Sequence, residues 1–393
     1  MNLTITPGKL SGSVTPPPSK SQAHRLLIAA ALAGEGSMIH NLADSQDIQA
    51  TRRCMTELKT NRKNLPELDC GESGSTLRFL IPVALVLRGG GVFTGHGRLM
   101  ERPQKPYFDL FDEKNIRYKQ ENEILTVEGH LTPGEYRLPG NVSSQFFTGL
   151  LLALPLLDGP SVLIPTTPLE SASYIGLTLD AMHEFGVDIP ATRSIPPQYH
   201  IPGNQRYRSA EVTVESDWSQ AAFWYAANNL GCEISVQGVT QSSAQGDRVI
   251  ASHCLDLSQP GDTEIDLSDC PDLAPPVAAA AAVRQGITRL TNASRLRIKE
   301  SDRLASITAA LTALGASVDE HPDSLTIYGR DELSGGTVDC CNDHRIAMMA
   351  AVAAARCRGP VTLLGAECVA KSYPNFWEHY RMLGGVFHEH AGE

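Results

Sequence analysis

Between Pro17 and Arg25 the chain reads PPSKSQAHR, and the apolar run LLIAAAL follows at once. A lysine, two serines, a histidine and an arginine therefore share one turn at the start of a buried helix. Cations at a helix start oppose the macrodipole, which favours negative charge there. An anion held between Lys20, Arg25 and the free backbone N–H groups removes that conflict. The turn is a candidate site for phosphate or carboxylate, with an ordinary solvated basic turn as the alternative.

Similar polar turns hold most of the chain's unusual side chains. In the first half they supply Ser73, Gly74, Ser75 and Arg78, then Arg98 and Arg102 in GRLMERP, Ser143, Ser144 and Gln145, and Ser171 and Tyr174. The second half supplies Asp272, the run RLRIKESDR from Arg295 to Arg303, NDHR from Asn342 to Arg345, and Lys371 in AKSYP. Any one serine reads as an N-cap, and any one mixed-charge turn as a surface ion-pair cluster. Taken together they suit a reaction between two anions. Lys20, Arg102, Arg303, Arg345 and Lys371 would line one cleft if the two halves face each other, with excess positive charge and with Asp272 and Glu300 left for proton transfer. GESGST is not a P-loop, because Gly74, not lysine, precedes Ser75.

The elements that position these turns repeat. Six segments open on a polar turn and run into an Ala/Leu-rich helix: SKSQAHRLLIAAAL, ESGSTLRFLIPVAL, NVSSQFFTGLLLAL, ESDWSQAAFWYAA, CPDLAPPVAAAAAV and CNDHRIAMMAAVAAA. Each is followed by a glycine and a short β-type run, such as GSMIHNL or GPVTLLG. Most units then carry a second, amphipathic helix and more strand, which predicts an α/β protein of six similar units. A boundary near Val214–Glu215 splits them three and three. The short segment between Thr60 and Leu68 predicts a truncated second helix in the first unit.

Composition narrows the class. A net charge of −11 argues against nucleic acid as a partner. No segment approaches the ~20 apolar residues of a membrane helix, and the N-terminus lacks the character of a signal or transit peptide. These features point to a cytoplasmic protein. The nine cysteines are scattered without a CxxC pair, so reduced, mostly buried thiols are expected and no metal site.

PPSKSQAHR, SGSTLRF, ERP, SSQF, Pro271–Asp272, KESDRL, NDHRIAM and AKSYPNF, in this order, resemble the 5-enolpyruvylshikimate-3-phosphate synthase family over nearly the whole chain. The resemblance implies two domains, each of three βαβαββ units around a pseudo-threefold axis (an inside-out α/β barrel), with the active site in the cleft between them. It implies residues 19–214 as the shikimate-3-phosphate side. Residues 1–18 and 215–393 become the phosphoenolpyruvate carboxylate and acid/base side. The implied reaction transfers the enolpyruvyl group of phosphoenolpyruvate to the 5-hydroxyl of shikimate-3-phosphate by addition and elimination, in a monomer needing no cofactor.

By the same resemblance, Lys20, Ser21, Arg25, Ser143, Ser144, Ser171, Tyr174, Asp272 and Lys299 hold shikimate-3-phosphate. Lys20, Gly74, Arg102, Gln145, Arg303, His344, Arg345 and Lys371 hold phosphoenolpyruvate, with Arg303 and Arg345 on its carboxylate. Lys20, Asp272 and Glu300 are the implied catalytic residues. Gly74 is the glycine beside which glyphosate binds in the family. Two departures stand out. The family's Asn-Ala-Gly-Thr is Glu72, Ser73, Gly74 and Ser75 here, and Arg295 occupies a position where asparagine is common. Glu72 must therefore point away or pair with a neighbour such as Arg78. Two alternatives stand beside this reading: a UDP-N-acetylglucosamine enolpyruvyl transferase, disfavoured by Ser21 after Lys20 and by the absence of cysteine from GRLMERP, and a catalytically inactive anion-binding homologue.

Overall fold

The computed structural model describes residues 1–60, 65–190 and 197–390. The chain forms two compact units, Pro18–Val214 and Met1–Pro17 with Glu215–Glu393.

One module recurs within each unit. In Pro18–Val214 it runs strand Glu67–Asp69, helix Gly74–Arg88, strand Gly90–Thr94, helix Lys105–Lys114, strands Arg117–Glu121 and Ile124–Glu128. The first two strands are parallel, with Leu68 opposite Phe93, and Ile124–Glu128 lies antiparallel between Gly90–Thr94 and Arg117–Glu121. The other unit repeats this order with Thr263–Asp266, Ile287–Thr291, Leu325–Tyr328 and Ser317–Glu320. A further module closes differently. Gly336–Asp339 pairs with Val361–Leu364, and the inner antiparallel place is filled by the N-terminal strand Asn2–Thr6, with Leu3 opposite both Leu363 and Glu389. The Met1 ammonium anchors that strand on Glu367 at 2.5 Å.

The chain passes between units twice, each time just after a strand. Ser11–Val14 pairs in parallel with Glu233–Val236 and is followed by helix Lys20–Ala33 of the other unit. Glu211–Thr213 pairs in parallel with Met38–His40 and is followed by helix Trp218–Asn229 of the other unit.

All six Ala/Leu-rich segments are helical: Lys20–Ala33, Gly74–Arg88, Ser144–Ala153, Trp218–Asn229, Ala274–Ala281 and His344–Ala353. Every residue of Ala274–Ala281 and of His344–Ala353 is buried. These two and Trp218–Asn229 pack against one another, the alanines letting their axes approach. A helix apolar all round can carry polar side chains only at its ends, where backbone groups also lack partners. That constraint puts the chemistry at the helix starts. The second helix of the first unit is not truncated. Gln46–Thr60 runs 15 residues, held by buried Ile48, Thr51, Met55 and Leu58 at helical spacing, while residues 61–64 lie outside the described set.

The helix Gly74–Arg88 contains Pro82, which has no N–H to give the carbonyl of Arg78. The buried Tyr107 hydroxyl takes that role, donating to Arg78 O at 2.8 Å. Gly149 permits this close packing, since a Cβ there would lie 2.4 Å from Arg78 O.

Candidate active site

Three helix starts converge in the unit that contains Glu215–Glu393. Asp272 lies in the 3-10 turn before Ala274–Ala281, Ser219 in the first turn of Trp218–Asn229, and Arg345 in the first turn of His344–Ala353. Arg345 Nη2 donates to Ser219 Oγ and to Asp272 Oδ2, each at 3.0 Å, and its Nη1 donates to Asp272 O at 3.3 Å. Arg303, first residue of its own helix and 1% exposed, binds Asp272 at 3.0 Å, Glu300 at 2.6 Å and Asp343 at 2.9 Å. Lys299 Nζ lies 3.4 Å from Asp272 Oδ1. Lys371, also buried, donates to Asn342 O at 2.7 Å. His344 is buried beside Asp343, Nδ1 to Oδ1 4.0 Å.

Arg303, Arg345 and Lys299 face Asp272, Glu300 and Asp343, so cations and carboxylates balance. Burial alone would raise the pKa of Asp272; Arg345, Lys299 and Arg303 outweigh it and hold the carboxyl well below the usual carboxylate range. Asp272 is ionised at neutral pH. Burial disfavours charge on Arg303, yet Asp343, Glu300 and Asp272 raise its pKa further above the arginine range. Burial lowers the pKa of Lys299 despite Asp272. Arg295, the position that departs from the resembling family, is buried and donates to Ser268 O.

The unit Pro18–Val214 gathers a second set. Ser19, not Ser21, caps helix Lys20–Ala33, which makes Lys20 its first residue. Lys20 Nζ meets Asp47 Oδ2 at 2.7 Å. Arg25 is buried over the ring of Phe79, 5.0 Å to its centre, and donates to Thr178 Oγ1, Thr148 Oγ1, Ser21 O and Tyr174 O. Burial brings its pKa down to about 10. Ser73 and Ser143 cap their helices, accepting from Thr76 N and Gln145 N; each hydroxyl proton remains able to donate. Gln145 accepts from Arg78 Nη1 at 2.8 Å and donates to Ser75 Oγ at 3.0 Å. Ser144 begins the same helix and is buried. A Cβ on Gly74 would fall 2.6 Å from Arg102 Nη1 and 3.6 Å from Gln145 Oε1, so Gly74, Arg102 and Gln145 are close neighbours. Ser171 holds a left-handed conformation, φ 57°, just before helix Ala172–Glu184. Such a residue costs about 1–3 kcal/mol unless its surroundings impose it, and strain of this kind gathers at functional sites. Glu72 lies against Gly97, where an added Cβ would sit 2.8 Å from Oε2.

The EPSP synthase (3-phosphoshikimate 1-carboxyvinyltransferase) family profile matches residues 5–380. The chain belongs to the EPSP synthase family. It is 45% identical to the 3-phosphoshikimate 1-carboxyvinyltransferase of Clostridium kluyveri and 42% to that of Clostridium acetobutylicum, covering 98% of itself and of each relative. Its fold is that of the EPSP synthase of Acinetobacter baumannii, at 22% identity, with a TM-score of 0.78 over 99% of this chain and all of that one.

Three further polar residues organise the two sets in this EPSP synthase family member: Asp47 and Ser219, which the sequence did not single out, and Asp343, which lies in the NDHR turn already named. Asp47 pairs with Lys20, Ser219 with Arg345, and Asp343 with Arg303. Asp343 had a signal, as an acid just before an apolar helix; it caps that helix, accepting from Arg345 N at 3.0 Å, and also accepts from Ser301 Oγ. Asp272 makes stability depend on pH. Its pKa in the fold lies below the unfolded value of about 3.9, so its contribution is present above that value and lost as pH falls toward the folded pKa. Urea unfolding should show stability dropping from about pH 5 to pH 3 more steeply in the wild type than in Asp272→Asn; parallel curves would contradict the charge assignment.

Proposed function

We propose that the protein transfers the enolpyruvyl group of phosphoenolpyruvate to the 5-hydroxyl of shikimate-3-phosphate and releases phosphate. Family membership supports the reaction, and the ion cluster on Asp272 supports the mechanism. Ser21, Arg25, Ser143, Ser144, Ser171 and Tyr174 hold shikimate-3-phosphate, and Asp272 and Lys299 meet its ring hydroxyls. Gly74, Arg102, Gln145, Lys20 and Lys371 receive the phosphate of phosphoenolpyruvate, and His344 is a further residue for that substrate. Arg303 and Arg345 receive its carboxylate, a task for planar guanidinium forks.

The carboxylate must compete with Asp272 for those two arginines. As they turn to the substrate, Asp272 loses two of the three partners that depress its pKa, keeps Lys299, and gains base strength when the hydroxyl is in place. Asp272 takes the hydroxyl proton as the oxygen attacks the carbon bearing the phosphate. Glu300, released from Arg303 and protonated from solvent, gives that proton to the methylene carbon. The tetrahedral adduct then breaks its carbon–oxygen bond to phosphate, Asp272 returns its proton to the departing phosphate, and a methyl proton passes back to Glu300 to restore the double bond. Nearby cations stabilise the charge that develops. The step balances without metal or nucleotide. We read the enzyme as a cytoplasmic monomer; among the described residues no helix is long and apolar enough to cross a membrane.

Phosphate release should require both substrates and survive a metal chelator. Binding of shikimate-3-phosphate without release would favour the inactive homologue instead. Gly74→Ala pushes a methyl group into Arg102, so it should raise the KM for phosphoenolpyruvate and the Ki for glyphosate at least tenfold, with the Kd for shikimate-3-phosphate within threefold. Equal losses for all three ligands would remove Gly74 from the phosphoenolpyruvate site.

A further inference from the structure

Lys20 carries a charge at the least favourable place on its helix, the first residue, where the macrodipole is positive. The structure supplies a carboxylate there. Asp47 Oδ2 lies 2.7 Å from Lys20 Nζ, with side-chain exposures of 12% and 15%. Asp47 is the second residue of helix Gln46–Thr60, where its negative charge suits that helix's own N-terminus. An ammonium has three donors, so a bond to Asp47 is compatible with holding an anion as well.

The helix that carries Asp47 is fixed to two of the helices that open on polar turns in its unit. One turn after Asp47, Thr51 Oγ1 lies 2.7 Å from His24 Nδ1 on the Lys20 helix and 2.7 Å from Thr76 Oγ1 on the Gly74 helix. Thr76 donates to the cap residue Ser73 at 2.8 Å. His24 is held neutral, since burial, Lys20 and Arg25 all lower its pKa. Hydroxyl and imidazole links thus leave Asp47 little freedom, whereas a lysine side chain has much to lose. The carboxylate is the fixed member of the pair.

We propose that Asp47 is a positioning residue for Lys20: it directs the ammonium toward the substrate anions without touching them itself. The inference rests on the reading of Lys20 as an anion ligand for shikimate-3-phosphate and phosphoenolpyruvate. Its signature is that Asp47 matters only while Lys20 is present.

The test is a double-mutant cycle on the full chain, read by calorimetric titration of shikimate-3-phosphate, which does not depend on residual turnover. Asp47→Asn should weaken binding at least fivefold in the wild-type background and less than twofold in Lys20→Met. Asp47→Glu, which keeps the charge, should bind within threefold of wild type. In turnover, Asp47→Asn should raise the KM for phosphoenolpyruvate more than it lowers kcat. A similar loss in both backgrounds, no loss, or tighter binding by Asp47→Asn would overturn the proposal. Should Asp47→Asn fail to fold, Asp47→Glu decides: tenfold weaker binding by that variant overturns it. Failure of the wild type itself to bind shikimate-3-phosphate would instead refute the proposed function.

Discussion

A guanidinium or carboxylate removed from water is stable only if it is paired and its hydrogen bonds are filled. Arg303 is the strictest case here. It is 1% exposed and surrounded by Asp272, Glu300 and Asp343. Removing one member of such a group leaves an uncompensated buried charge, whereas exchanging one anion for another does not. The cluster is therefore suited to receive a substrate carboxylate in place of a protein one. Pairing each of its cations with a carboxylate lets the cluster be buried without a bound anion.

The apolar helices dictate where that cluster forms. Ala274–Ala281 and His344–Ala353 are buried along their whole length, so their polar residues are confined to the first turn and the preceding cap. Packing the helices together brings Asp272, Ser219 and Arg345 into contact. In Pro18–Val214 the same logic joins Gln145 to Ser75. Core packing and site assembly follow from one requirement, that buried helices keep their polar ends together.

The local signals were legible. A polar turn followed by an Ala/Leu run marked all six buried helices, because turn chemistry and burial are decided within a few residues. The partners of the site were not, because they are distant in the chain. Lys20 and Asp47 are 27 residues apart, Arg345 and Asp272 73, and Arg345 and Ser219 126. The completion of one sheet by strand Asn2–Thr6 was equally silent in its residues, since Leu3 and Ile5 suit any half-buried strand. Glu72 gave a warning without a direction. The fold turns it toward Gly97.

The central claim is that Asp272 and Glu300 move protons in an addition followed by an elimination. That sequence converts the methylene carbon of phosphoenolpyruvate briefly into a methyl group, with one hydrogen drawn from solvent. Turnover in deuterium oxide, followed by mass spectrometry of the enolpyruvyl product at partial conversion, tests it most directly. The account expects deuterium on the vinyl carbon of the product. Product formed and phosphate released with no deuterium in that group would contradict it.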